Sequence, residues 1–423
     1  MRLDLHHRHQ RVELLVQQRR HVGVMALCWW IAGGSAADPP GQRGQAHLLA
    51  SAIQRGTVRQ DAVALAEELE ARGACFAASA REDAVVLCLG CMATDAPPLL
   101  ECLWEMVRTP RLAPREVRRE QQLTLQALDQ QREDPLQLAL ADLRRLLYGH
   151  GGYGHAPLGL KADVAALTSS QLHQAHQGWR RSAMVIAAAG RLDQATTDHL
   201  TALATALTPN ASPAPAEQPV ALPGSATMTF HPQDTEQVVL LLGASTCGIN
   251  HQDRATLRLL QCHLSTGMSA RLPQVIRETH GLAYEVGVLF PVRQRSAPFT
   301  AHLSTSQERA ALALELLLAE WWRLLEKPLQ PKELQLAHTK LQGQEVAALQ
   351  TSGQVAERLA LLRGYGMAVD AAEQQLAQVA QRDGAGCQRV VRQWLSQPRL
   401  AVVGPQSLAA PLGHIWSQST GST

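Results

Sequence analysis

A chain of 423 residues is too long for one compact hydrophobic core, so at least two domains are expected. Hydrophobic residues make up 46% of the chain and charged residues 18%, which suits ordinary globular cores. The formal net charge of +2 gives no electrostatic basis for binding nucleic acid or an anionic membrane surface, so we expect neither as a partner.

The apolar periodicity and the turn residues divide the first half of the chain into strands and helices. Strands are predicted at 12–16, 22–31, 84–91 and 184–189, and helices at 45–54, 59–72, 97–107, 114–131, 135–148 and 168–179. Ahead of them, His6, His7 and His9 could bind a metal ion, but we interpret them as a solvated strand edge. Strands and helices alternate irregularly and many helices are long, which predicts the α+β class.

The eight cysteines lie mostly in apolar runs, so we interpret them as buried reduced thiols rather than a disulfide framework. Cys88 and Cys91 have the spacing of a redox or zinc pair, but no second pair lies nearby. The apolar segment 22–32 imitates a secretion signal. Asp4 and Glu13 precede it, however, so we interpret it as a buried strand and predict a cytoplasmic protein without a membrane span.

A long internal repeat divides the chain into two homologous lobes. The same residues recur at a constant offset of 218, namely Leu99, Leu100, Trp104 and Pro110 in the first copy and Leu317, Leu318, Trp322 and Pro328 in the second. A period of this length indicates duplicated domains rather than a solenoid. The predicted lobes are 1–207 and 227–423, joined by a Pro/Ala-rich linker at 208–226.

One stretch of the second lobe, R-E-T-H-G-L-A-Y, carries a candidate substrate-binding pair. Arg277 is predicted on the last turn of a helix, Gly281 at its left-handed cap, and Tyr284 just inside the following strand. A guanidinium and a phenol hydroxyl are two donors that can hold a carbonyl oxygen. The alternative is a solvated helix-end cation and a tyrosine packed beside Val286, Val288 and Phe290.

This stretch, preceded by S-A-R-L, resembles the second-half signature of the pitrilysin or insulinase family of zinc peptidases, and especially its bacterial members similar to mitochondrial processing peptidase. The resemblance covers nearly the whole chain. It implies two lobes, each a mixed β-sheet covered by helices, that close face to face around a chamber. It also implies that Arg277 and Tyr284 hold the substrate backbone beside a zinc site in another domain.

The zinc motif of that family is degenerate in this chain. Active members carry G-x-A-H-x-L-E-H-M-x-F-x-G-T, and the H-x-x-E-H positions here hold His47, Ala50 and Ser51. Two imidazoles at i and i+4 share a metal on one helix face, and the carboxylate at i+3 activates its water. Ala127 matches the family's remaining ligand, a glutamate on a long helix. The chain therefore lacks a zinc site of its own, and zinc is expected on a partner.

Together, the lost metal site and the retained Arg277 and Tyr284 predict a zinc-free, non-catalytic subunit of a heterodimeric metallopeptidase. Its expected partners are a homologous subunit with an intact H-x-x-E-H motif and an unstructured peptide substrate. One alternative is a silent scaffold related to the core subunits of respiratory complexes, in which Arg277 and Tyr284 are packing residues. Another is an autonomous hydrolase with an improvised metal site of His47 plus His150, His155 or His173.

Overall fold

The computed structural model describes residues 3–9, 12–179, 181–207 and 227–420, so the predicted linker 208–226 lies outside the described residues. Two β-sheets form the centres of the fold. Their strands are β1 Leu5–His9, β2 Val12–Gln18, β3 Val24–Ala32, β4 Cys75–Ala80, β5 Ala84–Met92, β6 Met184–Gly190, β7 Met228–Pro232, β8 Gln237–Ser245, β9 Val286–Leu289, β10 Pro298–Ser306 and β11 Arg399–Gly404.

Fifteen α-helices surround these sheets in the described part of the chain. In order they are α1 Gln45–Ala52, α2 Ala62–Ala71, α3 Ala96–Arg108, α4 Pro114–Glu133, α5 Pro135–Tyr148, α6 Lys161–Ala166, α7 Ser169–Trp179, α8 Gln194–Ala206, α9 Arg254–Ser265, α10 Ala310–Glu326, α11 Pro331–Ala347, α12 Ser352–Gly364, α13 Ala371–Ala380, α14 Gly384–Leu395 and α15 Ala409–Thr420. A π-helix spans Pro273–Thr279. Among the described residues, no helix combines the length and the hydrophobicity needed to cross a bilayer.

The chain forms two compact units, and each unit takes one segment from the opposite half of the sequence. The first comprises Met1–Leu128, His155–Pro219 and Val346–Ala371, and the second comprises Asp129–Gly154, Val220–Glu345 and Ala372–Thr423. The units therefore differ from the predicted lobes 1–207 and 227–423 by two exchanged segments. These segments contain α5 and α12, which follow the long helices α4 and α11 at equivalent points of the repeat.

The first unit is built on a six-stranded sheet of order β1-β2-β6-β3-β5-β4, in which only β2 and β6 run parallel. The predicted strand edge at His6, His7 and His9 is confirmed, since β1 is an outer strand. All seven residues of β6 are buried, so both faces of the sheet must be covered. Leu14, Trp29 and Ile186 pack on one face with helices α1, α3, α7 and α8.

Helix α12 covers the other face of this sheet. Its inward stripe is Val355, Ala356, Leu359 and Ala360, and it packs on a surface made of Leu15, Cys28, Trp30, Val86, Val185, Ala187 and Ala189. Small side chains on β6 allow a close approach. A Cβ atom added to Gly364 would lie 2.4 Å from the Trp30 ring, so only glycine fits at the end of α12. The Arg363 guanidinium also donates to both Glu13 carboxylate oxygens, at 2.8 and 3.2 Å.

The second unit repeats this design with a five-stranded sheet of order β7-β11-β8-β10-β9. Helices α9, α10 and α14 share a core with one face, through residues such as Leu240, Leu260 and Val390. Helix α5 packs against β8 and β11, and Leu143 approaches Gly243 of β8. Each sheet mixes parallel and antiparallel pairs and carries helices, so the predicted α+β class with two similar lobes is confirmed.

Candidate functional site

The first part of the candidate site is helix α1, which carries the degenerate zinc motif. The buried Asp38 carboxylate fixes the start of this helix by accepting backbone N–H bonds from Gly44 at 2.8 Å and Ala46 at 3.0 Å. Burial raises the pKa of Asp38 to about 7, although the two backbone bonds oppose that shift. Gly44 has φ of 107° and a Cβ there would lie 2.6 Å from Val164, which explains the glycine at this position.

The residues at the motif positions supply one metal donor. His47 is half-buried, and burial lowers the pKa of its imidazole below the ordinary value, which leaves it neutral at physiological pH. Ala50 is buried and has no side-chain donor, and Ser51 is half-buried with a neutral hydroxyl. The helix that carries the motif is therefore formed, whereas the carboxylate and the second imidazole of H-x-x-E-H are absent from Ala50 and Ser51.

The position of the third family ligand lies on α4. Glu120 of this helix is buried and pairs with Arg55, just beyond α1, with 2.5 Å between Arg55 Nε and Glu120 Oε1. This ion pair ties α4 to the end of α1. Seven residues on, the half-buried Ala127 shares the helix face of Glu120, since seven residues make about two turns. At the position predicted for the third ligand, α4 therefore presents a methyl group and no metal donor.

These donors do not fit a tetrahedral zinc ion, which needs three protein ligands even in an open catalytic site. Within the ranges that the structure describes, no group of three or more His, Cys, Asp or Glu side chains could hold a metal ion. In the improvised site, His155 Nδ1 lies 2.9 Å from the Ala156 carbonyl oxygen and His173 Nδ1 lies 2.9 Å from that of Ser169, so each bond occupies one ring nitrogen. A metal ion there would lack a third donor among the described residues. The residues give no support to an autonomous metal-dependent hydrolase.

The second part of the candidate site joins the π-helix to β9. Arg277 lies on the last turn, as predicted, but the segment is a π-helix rather than an α-helix, a form that is frequent at functional sites. The predicted cap at Gly281 is confirmed by its φ of 60°. The prediction for Tyr284 was wrong, because β9 begins only at Val286 and Tyr284 lies in the preceding loop.

Hydrogen bonds explain why this loop does not join the sheet at Tyr284. The Thr305 hydroxyl donates to the Leu282 carbonyl at 2.6 Å, and the Arg309 guanidinium donates to the Gly281 carbonyl at 2.5 Å. Pairing between β9 and β10 starts only at Val286 opposite Leu303. The loop is therefore fixed at its base while Tyr284 projects outward.

The two candidate binding side chains are accessible to a ligand. Tyr284 is 93% exposed, which excludes the alternative of a tyrosine packed beside Val286, Val288 and Phe290. Arg277 Nε donates to Glu278 Oε1 at 2.8 Å, and the Glu278 side chain is 46% exposed. An exposed ion pair of this kind contributes at most about 1 kcal/mol, so Arg277 can exchange it for another acceptor at little cost.

An ion pair between a half-buried arginine and a buried glutamate anchors the start of the π-helix. Arg271 donates through Nε and Nη2 to the two Glu320 oxygens at 2.7 and 2.8 Å, and Glu320 is buried in α10. Sequence reasoning noted Arg271 only as part of S-A-R-L. It missed Glu320, Thr305 and Arg309, because no local pattern indicates which distant residue a loop will contact.

His263 lies near this anchor and makes folding sensitive to pH. Burial lowers the pKa of His263 to about 4, and in the described part of the chain its Nε2 has no hydrogen-bond partner. The folded state keeps the ring neutral, whereas the unfolded chain takes up a proton below its ordinary pKa of 6.5. Stability from this group is therefore complete above pH 6.5 and is lost as the pH falls toward 4.

We expect His263→Leu to remove part of the acid sensitivity. Between about pH 6.5 and pH 5, the free energy of unfolding should fall less than in the unaltered protein, by roughly 2 kcal/mol. Urea unfolding at several pH values measures this difference. His173→Leu, at an exposed position, is the matched control and should keep the original slope. Equal slopes in the His263 variant and the unaltered protein would contradict the expectation.

Two family profiles match most of the chain. The profile described as Insulinase (Peptidase family M16) matches residues 15–156, and that described as Peptidase M16 inactive domain matches residues 166–341. An uncharacterized zinc protease of Mycobacterium tuberculosis is 27% identical over 338 residues, which cover 78% of this chain and 76% of that protein. One of Streptomyces coelicolor is 25% identical, with 89% of this chain and 84% of that protein covered.

The alpha subunit of the Solanum tuberosum mitochondrial-processing peptidase is 25% identical over 179 residues, which cover 42% of this chain and 34% of that subunit. The peptidase M16 inactive domain from Pseudomonas fluorescens has the same fold, with a TM-score of 0.86, 23% identity and coverage of 96% of this chain and 99% of that one. A Helicobacter pylori protease also has a TM-score of 0.86, at 16% identity, with 96% and 100% covered. Since the two profiles match both halves and the fold agrees, the chain belongs to the insulinase family, peptidase family M16.

Proposed function

We propose that this chain is the zinc-free, non-catalytic subunit of a two-subunit metallopeptidase. The contrast between its two motifs carries the proposal: the metal-binding positions hold His47, Ala50 and Ser51, whereas Arg277 and Tyr284 are kept and accessible. The matched inactive-domain profile spans the latter two residues. The likeness to a processing-peptidase subunit supports pairing with a second, homologous subunit.

In this proposal the chain's own residues bind the substrate and the partner supplies the zinc and the base. The Arg277 guanidinium leaves Glu278 and donates to a carbonyl oxygen of an extended, unstructured peptide. The Tyr284 hydroxyl donates to the same peptide, and both donors stabilise negative charge that develops on the scissile carbonyl. Thr305 and Arg309 fix the backbone of the loop that carries Tyr284 before the substrate binds, whereas the Arg277 guanidinium exchanges its acceptor on binding.

The scaffold alternative has less support. It treats Tyr284 as a packing residue, whereas a side chain with 93% of its surface exposed packs against almost nothing in this chain. A large aromatic side chain with this exposure is instead a candidate contact with a ligand or with a partner.

The cytoplasmic location stays a prediction.

Metal analysis and co-expression test the proposed function. The purified chain should contain no stoichiometric zinc and should not hydrolyse an unstructured peptide. Co-expression with a homologous subunit that keeps H-x-x-E-H should yield a complex that does hydrolyse it. Replacing the glutamate of the partner's motif should abolish that activity and leave the complex intact. Peptide hydrolysis by the isolated, zinc-bound chain would refute the proposal.

A further inference from the structure

Two cysteines face each other across neighbouring strands in the first unit. Cys28 of β3 and Cys88 of β5 are direct partners in the antiparallel register, and their sulfur atoms lie 3.7 Å apart. Cys91, which sequence spacing associated with Cys88, lies on the opposite face of the sheet, because side chains alternate along a strand. The sequence spacing of Cys88 and Cys91 therefore does not bring these two thiols together, whereas the strand register places Cys28 beside Cys88.

The backbone geometry suits a covalent bond between these sulfurs. Directly opposed residues of antiparallel strands have Cα atoms separated by about 4.5 or 5.5 Å, and both values lie in the range that disulfides span. The sulfurs already point toward each other within hydrogen-bonding distance. Closing the remaining gap to a bond of about 2 Å requires side-chain rotation and small strand adjustments.

The two sulfurs differ in accessibility and in acidity. Cys28 is only 1% exposed beneath α12, whereas Cys88 is half-buried. The hydrogen bond between them lowers the pKa of Cys88 and raises that of Cys28. Burial and the Glu357 carboxylate of α12 oppose this lowering of the Cys88 pKa, and Arg81, which pairs with Glu357, adds a smaller effect in favour of the thiolate. By contrast, burial raises the pKa of Cys91, Cys247 and Cys387 to about 11, so those thiols stay protonated.

We propose that Cys28 and Cys88 form an oxidation site, which a hydroperoxide converts into a cross-strand disulfide between β3 and β5. The Cys88 thiolate attacks one peroxide oxygen, the O–O bond breaks, and a sulfenic acid forms with release of hydroxide. The Cys28 sulfur then attacks the Cys88 sulfur, the S–O bond breaks, and hydroxide leaves. Each hydroxide takes up one thiol proton. Two thiols lose two electrons in total, and hydrogen peroxide is reduced to two water molecules.

Oxidation of the folded, full-length chain with hydrogen peroxide tests this site. Thiols are then counted after denaturation, and the peptides are mapped by mass spectrometry without reduction. Apart from the exposed Cys75, which the peroxide can also reach, two of the eight thiols should disappear, a peptide pair should link Cys28 to Cys88, and dithiothreitol should restore both of these thiols. Sulfinic acid at Cys88 without a cross-link, or a cross-link to another cysteine, would overturn the proposal.

Single substitutions separate this pair from general thiol oxidation. Cys88→Ala should slow the loss of thiols by about tenfold or more, because it removes the sulfur that attacks the peroxide, whereas Cys28→Ala should abolish the cross-link and leave Cys88 as a sulfenic acid. Cys91→Ala is the matched control on the same strand and should leave the cross-link unchanged. Should Cys28→Ala fail to fold, the half-buried Cys88→Ala still decides the outcome. Equal rates in Cys88→Ala and the unaltered chain would overturn the proposal.

Discussion

Turnover by the reconstituted two-subunit peptidase should fall by about a hundredfold or more when Arg277 is replaced by alanine, as is typical for loss of one donor to a developing oxyanion. The guanidinium lies on the last turn of the π-helix and, among the residues that the structure describes, its side-chain bond is the exposed one to Glu278. In the proposed role its removal deletes a substrate contact, while the ion pair that it breaks is an exposed one. Tyr284→Phe should lower turnover through the same mechanism, since it removes one hydroxyl from a fully accessible ring.

Glu278→Ala is the matched control for this prediction. It removes the acceptor that holds Arg277 in the free chain and leaves the guanidinium in place, so turnover should stay unchanged or rise. Steady-state hydrolysis of an unstructured peptide gives the rates, and co-purification with the partner shows whether the complex has formed. Normal turnover in both Arg277→Ala and Tyr284→Phe complexes would rule out the role proposed for these residues.

The parts of this site that were predictable are those that depend on local chemistry. Ala50 and Ser51 cannot replace a base and a metal ligand, and this conclusion needs only the residue types on one helix. The left-handed cap at Gly281 was predictable for the same reason. The position of Tyr284 was not, because the loop is held by Thr305 and Arg309, more than twenty residues downstream. Such long-range contacts have no signature in the local sequence.

Local sequence also failed to predict which sheet each helix packs on. Pro135 placed the start of α5 correctly, and the repeat indicated two similar lobes. Sequence order, however, suggests that a helix packs on its neighbours in the chain. In the structure, α5 instead joins the second sheet and α12 joins the first. An amphipathic stripe predicts that a helix covers a sheet, but it does not predict which of two similar sheets.

Leu359→Ala tests whether α12 supports the first sheet. Leu359 is fully buried against β3 and β6, so its truncation should lower the free energy of unfolding by about 2–5 kcal/mol through lost contacts and a cavity. Leu361→Ala is the matched control two positions along the same helix. Leu361 is only half-buried, so its truncation should lower the free energy of unfolding by less than that of Leu359.

Hydrogen exchange can locate that loss of stability within the chain. In Leu359→Ala, the amides of β6 in the first sheet should exchange faster, while those of β8 in the second sheet should keep their protection. Leu143→Ala on α5 should give the reverse pattern, because Leu143 is buried beside Gly243 of β8. If Leu359→Ala exposed β8 and left β6 protected, then α12 would pack on the sheet of its own half, and the exchange of helices would be wrong. If Leu359→Ala exposes β6 and Leu143→Ala exposes β8, each sheet depends on a helix from the opposite half of the sequence.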